Sequence, residues 1–233
     1  PDGVVVWSDG RIIALGKRGE VTIPKGAYII DGVGKTVLPG FIDVHHHGSQ
    51  SDQGIIPQQN WKNLSALSFG VTTVHDPSHN TEMIFSAAEL QRAGHILAPR
   101  IYSTGTILYG ADSRSRAHVN NLEDALGHLK RMKAQGATTV KSYNQPRRDQ
   151  RQQVVEAGRQ TDVMVLPEGA SLMMHNLTQI VDGHTGIEHA IPVAPVYEDI
   201  LQLWSGTQVG YTPTLGVAYG GLMGEHYWYG NTN

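Results

Sequence analysis

The sequence has no cysteine among its 233 residues. Disulfides, Cys-ligated zinc, iron–sulfur clusters and thiol nucleophiles are therefore excluded. It also has no excess of charge of either sign. Eighteen Lys and Arg stand against 21 Asp and Glu, a net charge of −3 with neutral histidines. That balance argues against a nucleic-acid partner, or an anionic membrane surface, held by bulk charge. No apolar run approaches the roughly 18 residues that a membrane helix needs. No internal repeat, low-complexity tract or long linker is present. No secretory leader is legible, yet the chain opens Pro1-Asp2-Gly3 without an initiator Met. The reading therefore leaves the compartment open between cytoplasm and periplasm. With 17% charged and 39% hydrophobic residues the chain is the opposite of a disordered one. Its length suits one α/β barrel, or a medium domain with a small one. What it has in excess is histidine, 12 in all.

Residues 4–7 (VVVW), 11–15 (RIIAL) and 27–30 (AYII) are short β-prone runs separated by Asp9-Gly10, Gly16 to Gly19 and Asp31-Gly32. They predict a small antiparallel piece over residues 1–39, too short for a core of its own. From residue 40 to 233 strand-like and helix-like segments alternate. Strands are expected over 41–47, 71–75, 100–106, 138–143, 162–168, 186–190 and 208–215. Helices are expected over 60–69, 82–93, 122–135, 148–160, 171–182 and 196–204. The helix over 122–135 is the clearest. Leu122, Leu126, Leu129 and Met132 form its apolar stripe, Asn120 or Asn121 caps its start and Gly136 ends it. Alternating β and α implies parallel strands with right-handed crossovers. The expected fold class is α/β: an open doubly wound sheet or, better given the chemistry below, an incomplete TIM-like (β/α)8 barrel of about seven strands. Seven strands where a closed barrel has eight predict a fragment of a longer protein.

Three local signals carry chemistry. The first is Asp43-Val44-His45-His46-His47-Gly48 at the end of the first barrel strand. On a strand, residues i and i+2 share a face, so His45 and His47 point one way and His46 the other. Two imidazoles at a barrel mouth make a clamp for a divalent metal. The internal position and the apolar LPGFIDV flank exclude an expression tag. The second is Ile187-Glu188-His189-Ala190, which places His189 on the same strand-end rim. His184, a turn earlier, reads as a surface or packing histidine. The third is Lys141 inside the β-branched run Thr138-Thr139-Val140-Lys141-Ser142-Tyr143. A buried lysine is costly unless paired or modified. Burial favours its neutral amine, which can capture carbon dioxide as a carbamate whose oxygens bridge two metals. The plain alternative is an ammonium in water at the strand end.

VLPGFIDVHHHG, GATTVKSY, GIEHA and TPTL together resemble the metal-dependent amidohydrolase superfamily, in its imidazolonepropionase/prolidase-like branch, and more narrowly the amidohydrolases fused to TolB-type β-propeller repeats. The resemblance covers nearly the whole chain. It implies that residues 1–39 are the N-terminal part of a small β-sandwich. It also implies that His45, His47 and His189 are metal ligands and that Lys141 is a carboxylated bridge between one or two divalent ions, zinc foremost. The strand-five ligand, usually histidine, is absent from this chain. Glu168 takes its place better than His175, which falls on the following helix. The family's strand-eight aspartate, which takes the proton from water, lies on a strand the sequence does not contain, so the resemblance implies an inactive piece of a larger hydrolase.

The expected reaction is hydrolysis of a C–N bond (amide, peptide or cyclic amide) in a small-molecule or peptide substrate, with a homo-oligomer open. Tyr143, two residues beyond Lys141 on the same face, is the candidate to donate to a substrate oxygen. His75, Ser103 and His226 are candidates to line the mouth, although Asp76-Pro77 reads as a turn. The alternatives are a non-enzymatic ligand-binding module on the same barrel and a metal-dependent deaminase of an amino-heterocycle.

Overall fold

The computed structural model describes residues 2–113, 116–169, 172–193 and 195–214. They form two compact units, residues 1–39 and 40–233. In the first unit, β1 (Gly3–Ser8) and β2 (Arg11–Lys17) make an antiparallel hairpin. Asp9 and Gly10 turn it, both at positive φ, as a tight hairpin turn requires. The strand expected over 27–30 does not form. Tyr28, Ile29 and Ile30 are exposed in irregular backbone. β-propensity alone makes no strand without a partner for its backbone groups.

The second unit runs β3 (Phe41–Asp43), α1 (Trp61–Ser68), β4 (Val71–Asp76), α2 (Thr81–Arg92), β5 (Arg100–Ser103), β6 (Leu108–Tyr109), β7 (Ala117–His118), α3 (Leu122–Ala134), β8 (Thr139–Ser142), α4 (Arg148–Thr161), β9 (Met164–Pro167), α5 (Met173–Asp182), β10 (Gly186–Glu188), α6 (Glu198–Ser205) and β11 (Gly210–Thr212). All seven barrel strands and all six helices expected from the periodicity are present. The short β6 and β7 were not foreseen, because two-residue ladders carry no periodic signal. Every ladder in this unit is parallel: β3–β4–β5, β7–β6–β8–β9 and β10–β11. A bridge between Glu168 and Glu188 carries the order from β9 to β10. Parallel ladders between strands that largely alternate with helices make a partial TIM-like barrel.

Local chemistry sets the element ends. Asn60, Asn80 and Asn121 cap α1, α2 and α3 by accepting a backbone N–H of the first turn. Asp162 ends α4 in the left-handed conformation. The apolar stripe of α3 packs against α4 and β8 in a core of Leu129, Met132, Val140, Val154, Val155 and Val165. Fully burying one such aliphatic side chain contributes about 1.5–3 kcal/mol. A second core lies under α2 around Val74, Ile84 and Ile101. The buried Asp182 carboxylate of α5 accepts from Arg148, Arg151 and Gln152 of α4, which locks the two helices together. Among the described residues no helix is long and apolar enough to cross a membrane.

Candidate metal centre at the strand ends

β3 stops at Asp43, four residues short of the expectation. The Asp43 carboxylate accepts from the backbone N–H of His45 at 3.1 Å and faces His46 Nδ1 at 3.2 Å. This side chain competes with the ladder and turns the chain before the histidines. His45, His46 and His47 therefore lie beyond the end of β3, so strand parity is not what sorts them. The sorting nevertheless comes out as parity predicts: His45 and His47 rings meet edge to face at 5.0 Å, and His46 turns back to Asp43.

The opposite wall comes from β8, β9 and β10. Lys141 is 2% exposed, which removes the alternative of an ammonium in water. Its Nζ lies 2.5 Å from Glu168 Oε2. Glu168 Oε1 is 2.8 Å from His189 Nε2. The His189 ring stands 4.6 Å from that of His45. Five side chains from distant parts of the sequence, His45, His47, Lys141, Glu168 and His189, are thus assembled at the C-terminal ends of the parallel strands. His189 holds its place with a left-handed backbone, φ 72°, which is costly for a non-glycine residue. Its backbone N–H donates to Thr212 and its Nδ1 meets the Thr214 hydroxyl at 2.9 Å.

Gly169 makes this approach feasible. Its N–H donates to Glu188 O at 2.8 Å, and a Cβ there would come within 2.2 Å of the same oxygen. Glycine is needed because backbone meets backbone.

Two further carboxylates join the cluster: Asp76, expected as a turn residue near the mouth, and Glu188, which went unread in the sequence. Glu188, 3% exposed, is hydrogen-bonded to His45 Nδ1. Its position beside His189 in a short buried strand was the available signal. Asp76 does form the expected turn, accepting from Ser78 N, and the same oxygen also faces His47 Nδ1 at 3.5 Å. The charges explain each other. Burial works against ionisation of Glu168, but the bond from His189 and the Lys141 charge outweigh it and hold its carboxyl at about 2. The bond to Asp76 raises the His47 pKa against the effect of burial.

The remaining candidates lie elsewhere. His75 Nε2 meets the Thr139 hydroxyl at 2.7 Å and Nδ1 faces Val44 O at 3.3 Å, and burial lowers its pKa. Ser103 is buried. Its hydroxyl donates to Asp76 O and accepts from Gly105 N, so it braces the strand end and offers nothing to a ligand. Tyr143 stacks with Arg116 and Tyr109. His175 lies on α5 against Arg151, and His184 is a buried packing histidine bonded to Gln179 O. His226 lies outside the described residues.

Among the described residues no three His, Asp or Glu side chains surround a common point at ligand spacing. Instead the donors pair with one another: His45 with Glu188, and His189 and Lys141 with Glu168. The donor set nonetheless fits a divalent cation on one observation. His45 Nε2 is buried without a hydrogen-bond partner while its Nδ1 is engaged by Glu188. A carboxylate on one ring nitrogen with the other nitrogen free is how metal-ligating histidines are prepared.

No family model matches the chain. An imidazolonepropionase of Symbiobacterium thermophilum is 43% identical over 51 residues, which is 20% of this chain and 12% of that protein. Solved structures match over nearly all of it. Molinate hydrolase superposes with a TM-score of 0.73 at 18% identity, covering 94% of this chain and 61% of its own. A Xaa-Pro dipeptidase with bound methionine in its active site gives 0.71 at 19%, covering 92% and 62%. Ochratoxinase from A. niger gives 0.67 at 17%, covering 98% and 63%. The chain spans between 60% and 64% of the length of the first structures it matches. At these identities what is shared is the fold.

Proposed function

We propose that this chain carries the metal-binding rim of a hydrolase that cleaves a C–N bond in a small-molecule or peptide substrate. The observation that supports the reading is the convergence of His45, His47, His189, Lys141 and Glu168, which span 145 residues of sequence, on one strand-end cluster. Of these, the three imidazoles and Glu168 would hold the first divalent ion. When bound, such a cation supplies Lewis acidity, polarising a carbonyl and bringing the pKa of water near neutral.

The chain's own groups have distinct parts. Glu188 keeps the His45 proton on Nδ1 and so leaves Nε2 as a donor. Glu168 stays ionised and orients both His189 and Lys141. Lys141 in its ammonium form neutralises Glu168. A carbamate on Nζ would turn that ion pair into two adjacent anions, which only a cation makes compatible. Carboxylation of Lys141 and occupancy by a second ion therefore go together. Zinc suits imidazole and carboxylate donors.

The test is elemental analysis after loading with zinc and exhaustive dialysis. The protein is expected to retain one or two ions per chain, and the variant carrying both His45→Ala and His47→Ala to retain none. Equal metal content in the two proteins would overturn the proposal.

A further inference from the structure

His47 is the least supported histidine of the cluster. Its side chain is 57% exposed, against 6% for His45 and 16% for His189. His45 has the Glu188 carboxylate, and His189 has both Glu168 and the Thr214 hydroxyl. Among the described residues the His47 ring meets only Asp76, at 3.5 Å, and the edge of the His45 ring. An imidazole so loosely held keeps a fixed direction only if its backbone is fixed.

That backbone is fixed from both sides. Upstream, the N–H groups of His45 and His46 donate to the Asp43 carboxylate and to His75 O. Downstream, amide side chains tether residues 48–50 to the start of α1. Gln50 Nε2 donates to Gly48 O at 3.1 Å and to Asn63 Oδ1 at 3.4 Å, and Asn63 Nδ2 returns a bond to Gln50 Oε1 at 3.0 Å. Asn60, which caps α1 through its Oδ1, donates from Nδ2 to Ser49 O at 2.7 Å.

The tether is built into the interior. Gln50 and Asn63 are each 1% exposed. Gly48 is buried too, and a Cβ there would come within 2.7 Å of His46 Nε2, so the chain folds back closely on the histidines. Loops ordinarily run over the surface, because a buried amide left unpaired costs free energy. Here the oxygen and the nitrogen of both amides are engaged, so the pair is satisfied. A segment that only joined β3 to α1 would be served by an exposed polar turn. What the network adds is a bond on each carbonyl of Gly48 and Ser49, immediately beyond His47.

We infer that Gln50, Asn63 and Asn60 are positioning residues that aim His47 at the metal by holding the chain that follows it against α1. The inference rests on the reading of His45 and His47 as metal ligands. The three amides act through the backbone, at one remove from the imidazoles.

The experiment loads the chain with cobalt(II), whose visible absorption reports its ligand geometry, and measures cobalt affinity beside the urea midpoint. Asn60→Asp keeps the cap oxygen, and with it α1, but removes the donor to Ser49 O. Gln50→Met keeps the side-chain length and leaves Asn63 unpaired. Gln50→Met combined with Asn63→Leu replaces both partners by apolar groups, which restores stability lost in the single variant. Cobalt affinity is expected to fall about tenfold in all three, with a changed absorption band. In the paired variant the urea midpoint returns toward the parent's while the affinity does not. A pair that served packing alone would give metal binding that recovers together with stability. Asn60→Asp, with its cap intact, gives the decision should the paired variant stay unstable. The inference is overturned if Asn60→Asp or the paired variant binds cobalt with the parent's affinity and spectrum. That result, with cobalt held by the parent, sinks the tether alone. A parent chain that binds no cobalt sinks the metal reading and the tether with it.

Discussion

At the residue scale, the cluster is a set of mutually compensating buried charges, and its least conspicuous member has the sharpest consequence. The Glu188 carboxylate is hydrogen-bonded to His45 Nδ1, and it thereby determines which imidazole nitrogen is left without a partner. Glu188→Gln keeps the shape and removes the charge. The amide can still accept from Nδ1 through its oxygen, but it can equally turn its NH2 toward the ring and favour the other tautomer. Zinc affinity is expected to fall about 10–100-fold, as for other carboxylates behind a ligating histidine. Competition with a chromophoric chelator measures this, and an unchanged zinc affinity would show that Glu188 has no such role. The same scale shows what the motif could and could not reveal. The HxH pattern announced His45 and His47. The carboxylate behind His45 lies 143 residues away, at a distance no local pattern spans.

At the scale of elements, close approach of backbone decides where glycine is required. Gly158 lies inside α4, where alanine is ordinarily the better helix former by about 1 kcal/mol. Here a Cβ would come within 2.8 Å of Val163 O and 2.5 Å of a Val165 methyl on β9. The carbonyl belongs to the backbone and cannot rotate away, so the helix must lift from the sheet. Gly158→Ala is therefore expected to destabilise the chain by about 1–3 kcal/mol, the usual cost of overpacking, against its helix propensity. A urea midpoint at or above the parent's would refute this. Periodicity located all six helices of the described residues, and α2, α3 and α4 each put one face on an apolar core. It overshot β3 and β10 because their last residues leave the ladder: one for the Asp43 side chain, the other for the left-handed His189. Neither departure has a hydrophobic signature.

At the scale of the whole molecule, buried neutral histidines tie stability to pH. Burial lowers the pKa of His128 and of His184 to about 4, and each is 2% exposed. Burial also lowers those of His75 and His175. For a histidine with a depressed folded pKa, the unfolded chain takes up its proton first as pH falls below about 6.5. The stabilisation is therefore complete above about 6.5 and is lost as pH falls toward 4. His47 has the opposite sign, since its pKa is raised, and it offsets part of the loss. Glu168, held at about 2 against an ordinary 4.5, adds a loss of the same sign that sets in only below about pH 5. The metal-free protein is expected to be less stable at pH 5 than at pH 7, by on the order of 1–2 kcal/mol for each of His128 and His184. Replacing both with Gln should flatten the profile between those pH values. A urea midpoint independent of pH from 7 to 5 in the parent chain would contradict the assignment of neutral buried histidines.

The sequence by itself determined the class of fold, the seven strands and six helices of the barrel, and the identity of the histidines and the lysine, because periodicity and short motifs are local properties of the chain. It also settled what the protein does not use, from the absence of cysteine. Only the tertiary structure decided that Glu168 stands between Lys141 and His189, that Glu188 backs His45, that Ser103 is occupied by its own backbone, and that Arg116 rests on two tyrosines. Those relations depend on which strand ends meet across the barrel, and parallel strands bring together residues whose separation along the chain carries no information about their separation in space.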